Sequence, residues 1–410
     1  MAAGPPLAAQ DYNLKWMPSD VTRLLGGFVQ QRLTLKTNQP ANVKKLPGGV
    51  SAPLWAELKI GPREAPATYV LLLDEPKGKP SRLFLDSNCN GDMSDEVAVP
   101  WLQRSAPGAG GAPSSVYVGE GAVAIPFPSG PLNARLGFFR LDKDNPANAS
   151  AADALFYYRD YALYGQVTLA GKAHTAMMVD EFASGDFRGQ EGKPFSGVRL
   201  LIDLNGDSRF DLRRETLDVR MPFNVGGTTW EFGGLTADGK FQFVRSSKTV
   251  PEIPLPPNLS RGGKVIPFAA KTLAGAPVKF PEDYKGKVVL LDFWATWCGP
   301  CLAELPNVVA NYQKFHARGF EVLGISLDQD EAIPGLANFT KDKQMPWPQI
   351  CDGKMWMTDL AQRYGVEGIP FMLLVDGDSG EVLGGTMDVR AGGLGPAIEA
   401  GLARKQHPAK

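Results

Sequence analysis

The sequence predicts a multidomain protein: a β-rich N-terminal region, built as two related β-subdomains, followed by an α/β domain. Three observations carry this. From about residue 16 to residue 243, short apolar runs are broken by Gly, Pro and Asn with little helical periodicity. Within that region one strand–loop–strand pattern occurs twice. Beyond it, the apolar run 288–294 leads through Cys298-Gly299-Pro300-Cys301 into helix-compatible sequence, 302–317. That order is strand, tight turn, helix.

At 410 residues the chain has room for two or three domains. Hydrophobic residues at 43% and charged residues at 21% are ordinary for a soluble globular protein. A formal net charge of −1 gives no support for nucleic-acid or anionic-membrane binding. No apolar stretch approaches the length of a membrane span, so no integral membrane segment is expected. The 46 Gly and 34 Pro fit a chain rich in turns.

Residues 1–13 read as a flexible leader. They lack a basic n-region and an apolar h-region and are not an intact signal peptide. Residues 14–148 and 149–246 read as the two β-subdomains. In the first, the run 69–75 ends in Asp74-Glu75 and 82–88 ends in Asp86-Ser87-Asn88; in the second, 176–181 ends in Asp180-Glu181 and 199–205 ends in Asp203-Leu204-Asn205. Two copies are too few for a solenoid, so a degenerate duplication of one β unit is expected.

Both repeats run into an oxygen-rich loop. The first places Asp86, Asn88, Asn90 and Asp92 at relative positions 1, 3, 5 and 7, with Gly91 at 6. The second places Asp203, Asn205, Asp207 and Asp211 at positions 1, 3, 5 and 9, with Ser208 where such loops carry glycine and Arg214 where they carry a bidentate glutamate. Alternate side chains of a tight loop converge, and hard oxygen donors suit calcium. Asn, Asp and Gly also form such turns with no metal. Two loops at matching places in a repeat favour a structural calcium ion in at least one. Residues 247–263, with Pro251, Pro254, Pro256 and Pro257, read as a stiff linker.

In the last segment, 264–405, Cys298 falls at a helix N-terminus. There, unpaired N–H groups and the helix dipole favour a thiolate, and Cys301 lies one turn further in. Half a zinc site has the same spacing, but Cys89 and Cys351 are isolated and His174, His316 and His407 are scattered. A redox dithiol is the better reading.

The stretch Lys285-Gly286-Lys287-Val288-Val289-Leu290-Leu291-Asp292-Phe293-Trp294-Ala295-Thr296-Trp297-Cys298-Gly299-Pro300-Cys301, with Glu304-Leu305-Pro306 and Gly368-Ile369-Pro370, resembles the TlpA/ResA-type thioredoxin-fold domains of exported thiol–disulfide oxidoreductases. The resemblance covers the last third of the chain. It implies an α/β thioredoxin fold with a redox-active disulfide and no organic cofactor. Cys298 would attack and Cys301 would resolve the mixed disulfide. Asp292 lies where thioredoxins carry a buried acid that exchanges protons with the resolving cysteine, an acid many TlpA/ResA relatives lack, so its presence implies thioredoxin-like proton handling; burial would raise its pKa. Glu304 either tunes the thiols or is a first-turn glutamate favoured by the dipole. Pro370 matches a cis-proline facing the dithiol, leaving the Ile369 backbone to pair with substrate. Trp297, Gly299 and Pro300 would form the docking surface, with Trp294 as packing. A helix near 332–343 matches the insertion usual in this type. The implied partners are protein disulfides and a membrane-bound thiol electron donor, and the implied location is the periplasm or cell envelope. Cys351 reads as a buried small hydrophobe or a third redox thiol.

Two other functions compete. Peroxiredoxins carry a threonine three residues before the reactive cysteine and a proline seven before; here those positions hold Ala295 and Leu291. The larger competitor is a calcium-dependent β-rich binding protein with an accessory thioredoxin-like module.

Overall fold

A computed structural model describes residues 10–107 and 113–406. The chain divides into two compact units: Met1–Leu204 with Leu212–Pro254, and Asn205–Asp211 with Leu255–Lys410.

The first unit is built from antiparallel sheets. One orders Gln31–Thr34, Ala154–Arg159, Gly130–Leu141, Pro113–Phe127 and Leu102–Pro107; a second orders Thr216–Asp218, Val198–Ile202, Lys172–Asp180, Ala162–Leu169 and Lys15–Met17. A three-stranded sheet holds Pro53–Ile60, Ala67–Asp74 and Arg82–Leu85. A four-stranded sheet runs Asp11–Tyr12, Phe241–Arg245, Thr228–Gly233 and Phe223–Val225. The end of the expected leader is therefore not loose. Asp11 and Tyr12 pair with Gln242 and Phe241, and the buried Tyr12 donates its hydroxyl to the Thr168 carbonyl at 3.0 Å. Residues 1–9 of the expected leader lie outside the described residues.

The duplicated pattern is visible as two hairpins, Ala67–Asp74 with Arg82–Leu85 and Lys172–Asp180 with Val198–Ile202. Each first strand ends in a buried aspartate (Asp74, Asp180), and each second strand runs into another (Asp86, Asp203). The two halves share one core: Leu58, Leu71 and Leu83 of the first pack in the same cluster as Met178, Leu200 and Ile202 of the second. Arg63 pairs with Asp186 at 3.0 Å and Arg188 with Glu64 at 2.6 Å across the join. Gly185, at φ 72°, lets the chains meet there, since a Cβ would lie 2.6 Å from the Gly61 nitrogen. Where two subdomains were expected, the halves form one body. The reason is physical: a small sheet has one apolar face it cannot bury alone.

The 247–263 segment is held at both ends. Ile253 donates its N–H to the Asn224 carbonyl at 2.9 Å, and Gly262 donates to the Val382 carbonyl at 2.8 Å. The unit boundary falls between them, at Pro254 and Leu255.

The second unit is α/β. Its sheet runs Gln349–Ile350, Phe320–Ser326, Val288–Trp294, Phe371–Asp376 and Val382–Gly384; the first three are parallel, Phe371–Asp376 is antiparallel to them, and Val382–Gly384 is antiparallel to Phe371–Asp376. All seven residues of Val288–Trp294 are buried, as a strand with paired neighbours on both sides requires. The helix Gly299–Phe315 follows directly and turns Cys301, Leu305, Val308, Val309 and Phe315 into the core. Pro300 sits in its first turn, where no N–H is needed, and Pro306 lies inside it. A helix at Ile333–Asp342 stands between the strands Phe320–Ser326 and Gln349–Ile350, one residue inside the expected span at each end. This sheet order and the following helices are those of a thioredoxin fold.

Candidate redox site

Cys298 is the N-cap of Gly299–Phe315, with φ −86° and ψ 95°, and its sulfur accepts the Cys301 N–H at 3.1 Å. Cys298 and Cys301 form a disulfide with 5.2 Å between Cα atoms. Both cysteines are buried as residues, whereas Gly299, Pro300 and Trp297 are exposed, Trp297 by 48%. The indole N–H of Trp297 donates to the Leu327 carbonyl at 3.3 Å, and its ring centroid lies 6.0 Å from that of Trp356. Trp294 is buried, donates to Gln349 Oε1 at 2.9 Å and stacks on Phe339.

The Ile369–Pro370 peptide is cis. Phe371 is the register partner of Phe293, which puts Ile369 and Pro370 beside the strand end from which the cysteine turn emerges. Both are half-buried.

Asp292 pairs in register with Gly324 on one side and Met372 on the other, and is 6% exposed. Burial, and then the Glu304 charge, push its carboxyl up to about 7. Glu304 is half-buried. Its Oε1 accepts the Ala391 N–H at 2.8 Å and the Asn307 side-chain amide at 2.6 Å. It therefore ties the active-site helix to the segment around Ala391 as well as acting on Asp292.

One buried group escaped the sequence reading. Asp328, two residues beyond the strand Phe320–Ser326, bonds Thr296, two residues before Cys298. The local signal was a strand ending in Ser-Leu-Asp, but its partner lies 32 residues away.

The two remaining cysteines are free, Cys89 exposed and Cys351 half-buried. Burial, Asp86 and Glu96 push the Cys89 thiol up, away from the thiolate form. The Cys351 sulfur lies 3.9 Å from the Asp328 carbonyl.

The oxygens of the first acidic loop make hydrogen bonds within the turn. Asp86 accepts the N–H of Asn90 (3.2 Å) and Gly91 (3.1 Å), Asn88 Oδ1 accepts that of Asn90 (3.0 Å), and Asn90 Oδ1 accepts that of Asp92 (2.6 Å). Asp92 is held by Lys45 at 2.7 Å, which with Ser94 pushes its carboxyl down to about 2. These oxygens serve the turn itself, as Asx turns do. In the second loop, Asn205 Oδ1 accepts the Asp207 N–H at 2.9 Å and Asp207 Oδ1 accepts the Arg209 N–H at 2.9 Å. Asp203 is buried, and Asp211 follows at the loop's far end. Glu215, one place beyond Arg214, is also buried and accepts the Leu204 N–H at 2.7 Å. Among the described residues no group of three or more His, Cys, Asp or Glu converges as a metal cluster.

A disulfide at the start of a helix that follows a strand carrying a buried carboxyl, in a thioredoxin-type sheet, defines the class of thioredoxin-like dithiol domains. The family model described as "AhpC/TSA family" matches residues 262–381. The thiol-disulfide oxidoreductase ResA of Bacillus thuringiensis subsp. konkukian is 36% identical over 117 residues, 28% of this chain and 64% of ResA. Tryparedoxin of Trypanosoma brucei brucei is 32% identical over 123 residues, 30% of this chain and 83% of tryparedoxin. Among solved structures, a putative thiol:disulfide interchange protein DsbE from Chlorobium tepidum is 32% identical, covering 35% of this chain and 99% of that one, with a TM-score of 0.30. Through this C-terminal domain the chain belongs to the AhpC/TSA family of thioredoxin-like proteins, with ResA-type thiol–disulfide oxidoreductases among its relatives. It spans 64% of the length of that ResA protein.

Proposed function

We propose that this protein is a thiol–disulfide oxidoreductase that reduces protein disulfides through Cys298 and Cys301. The observation that carries the reading is the placement of Cys298: an N-cap sulfur receiving the Cys301 N–H, next to exposed Trp297, Gly299 and Pro300. A thiolate in that position is stabilised by the N–H group and the helix dipole.

The chemistry balances as two exchanges. The Cys298 thiolate attacks one sulfur of a substrate disulfide; a Cys298–substrate S–S bond forms and the other substrate sulfur leaves as a thiolate and takes a proton. Asp292, poised near pH 7, accepts the Cys301 proton. The Cys301 thiolate then attacks the Cys298 sulfur, and the second substrate sulfur leaves. Substrate gains two electrons and two protons, and the protein is left as the disulfide. A membrane-bound dithiol donor would return the two electrons. No helix of the described residues is long and apolar enough to cross a membrane. Work outside the cytoplasm, in the periplasm or cell envelope, fits the exported proteins that the sequence resembles. Ile369 and Pro370 would bind the substrate strand.

The N-terminal unit would serve recruitment or dimerisation. A structural calcium ion belongs to the reading at the second loop, on the sequence spacing of Asp203, Asn205, Asp207 and Asp211.

The test is reduction of insulin disulfides by the full chain with dithiothreitol as donor. Turnover above the dithiothreitol background, lost in Cys298→Ser, is expected. Equal rates for the two proteins would overturn the reading.

A further inference from the structure

We infer that Asp328 is a positioning residue for the redox turn: by gripping Thr296 it holds Cys298 in the N-cap geometry that keeps its thiolate stable. The inference rests on the oxidoreductase reading and deepens it.

Asp328 is 1% exposed. Its carboxylate accepts the Thr296 N–H (3.2 and 3.1 Å), the Thr296 hydroxyl (2.6 Å) and the Ser326 hydroxyl (2.6 Å). The Ser326 hydroxyl also accepts the Asp328 N–H at 3.1 Å, which fixes the carboxylate's own backbone. A buried carboxylate is costly unless its lone pairs are satisfied, and charge-assisted hydrogen bonds are stronger than neutral ones. Here the donors come from its own strand end and from one residue of the cysteine turn. That turn spans a short gap: the strand ends at Trp294 and the helix begins at Gly299.

Neighbouring contacts complete the clamp. Leu327 donates its N–H to the Trp294 carbonyl (2.8 Å) and accepts the Trp297 indole N–H (3.3 Å). Cys298 donates its N–H to the Ala295 carbonyl at 3.1 Å. Residues 294, 296 and 297 are thus bound to 327 and 328, and the next residue is Cys298. The Cys298 sulfur meets the Cys301 N–H because residue 298 holds φ −86° and ψ 95°. Freeing Thr296 loosens that conformation. The sulfur then loses its N–H donor and its alignment with the helix end, and its pKa rises.

A second effect of Asp328 would have the opposite sign. A carboxylate acting on the thiolate only through space raises the thiol pKa, so its removal would lower it. The direction of the change separates positioning from charge.

The test uses the reduced full chain, with the pH dependence of iodoacetamide alkylation read at the Cys298 peptide by mass spectrometry. In Asp328→Asn one of the two acceptor oxygens becomes an NH2 group and the remaining bonds lose their charge assistance, which weakens the hold on Thr296. Its alkylation midpoint is expected to rise by about one pH unit, making alkylation roughly tenfold slower at pH values below both midpoints. Thr296→Val, which removes the hydroxyl bond alone, is expected to move the same way by about threefold, and Thr296→Ser to stay near wild type. If Asp328→Asn does not fold, Thr296→Val against Thr296→Ser decides. A depressed wild-type midpoint that the variants leave unmoved, or lower further, overturns this inference alone. A wild-type midpoint at the free-cysteine value overturns the oxidoreductase reading and this inference with it.

Discussion

The two units bury carboxylates inside their sheets and surround them differently. In the N-terminal unit, Asp74 closes its strand by accepting the N–H groups of Ser51 (3.1 Å) and Ala52 (2.8 Å) and the Arg82 guanidinium (2.7 Å). Although burial opposes them, these donors hold its carboxyl below the usual range. Asp180, at the matching strand end, accepts the Tyr161 hydroxyl, the Ser184 hydroxyl and the Gly185 N–H; burial still lifts it to about 6. In the C-terminal unit, no donor among the described residues reaches Asp292, and it stands at about 7. A buried acid surrounded by donors organises a loop. The same acid without donors exchanges a proton near neutral pH.

The sharpest way to break this contrast is to neutralise each acid. Asp292→Asn should remove the proton acceptor for Cys301 and slow release of the mixed disulfide tenfold or more, yet stabilise the fold. The sign follows from linkage. The folded pKa is raised above the unfolded value near 4, so the folded state binds the extra proton and stability falls as pH rises from about 4 to about 7. The gain from Asp292→Asn should therefore reach about 4 kcal/mol above pH 7 and vanish below about pH 4. Asp74→Asn should do the reverse. Its folded pKa is depressed, so its contribution is present above the unfolded value and is lost as pH falls through the folded one. Loss of about 2 kcal/mol is expected at pH 7, with redox turnover unchanged. Denaturant melts of both variants at pH 4 and pH 8 check the pair. Destabilisation by Asp292→Asn at pH 8 would end the contrast.

A smaller effect is expected from calcium. Chelation should lower the melting temperature of the full chain by a few degrees, on the order of 1–2 kcal/mol for a unit of this size. The response should persist in Asp86→Asn and disappear in Asp203→Asn. No shift on chelation would remove calcium from the account and leave both loops as hydrogen-bonded turns.

What could be read from the sequence follows the range of the interactions. The C-terminal site was legible because its parts are contiguous: an apolar strand, a four-residue turn and a helix carry both cysteines, Trp297 and the helix start. Asp292 was legible because it interrupts that strand. Asp328 was not, since its meaning depends on Thr296, 32 residues earlier and in the turn that follows the neighbouring strand. The N-terminal repeat was visible as a pattern, but its assembly into one unit depends on contacts such as Arg63 with Asp186, 123 residues apart. The first acidic loop shows the same limit. Its spacing suits an ion, and Lys45, 47 residues away, already neutralises Asp92. The leader misled because Tyr12 finds its strand partner at Phe241.

The most direct test of the central claim is mixed-disulfide trapping with the full chain and an oxidised protein substrate. Cys301→Ser, reduced beforehand, should accumulate a substrate adduct on Cys298 that dithiothreitol releases. Cys298→Ser under the same conditions should form none. An adduct on Cys301 in Cys298→Ser, or none in either variant, would contradict the assignment of Cys298 as the attacking thiol.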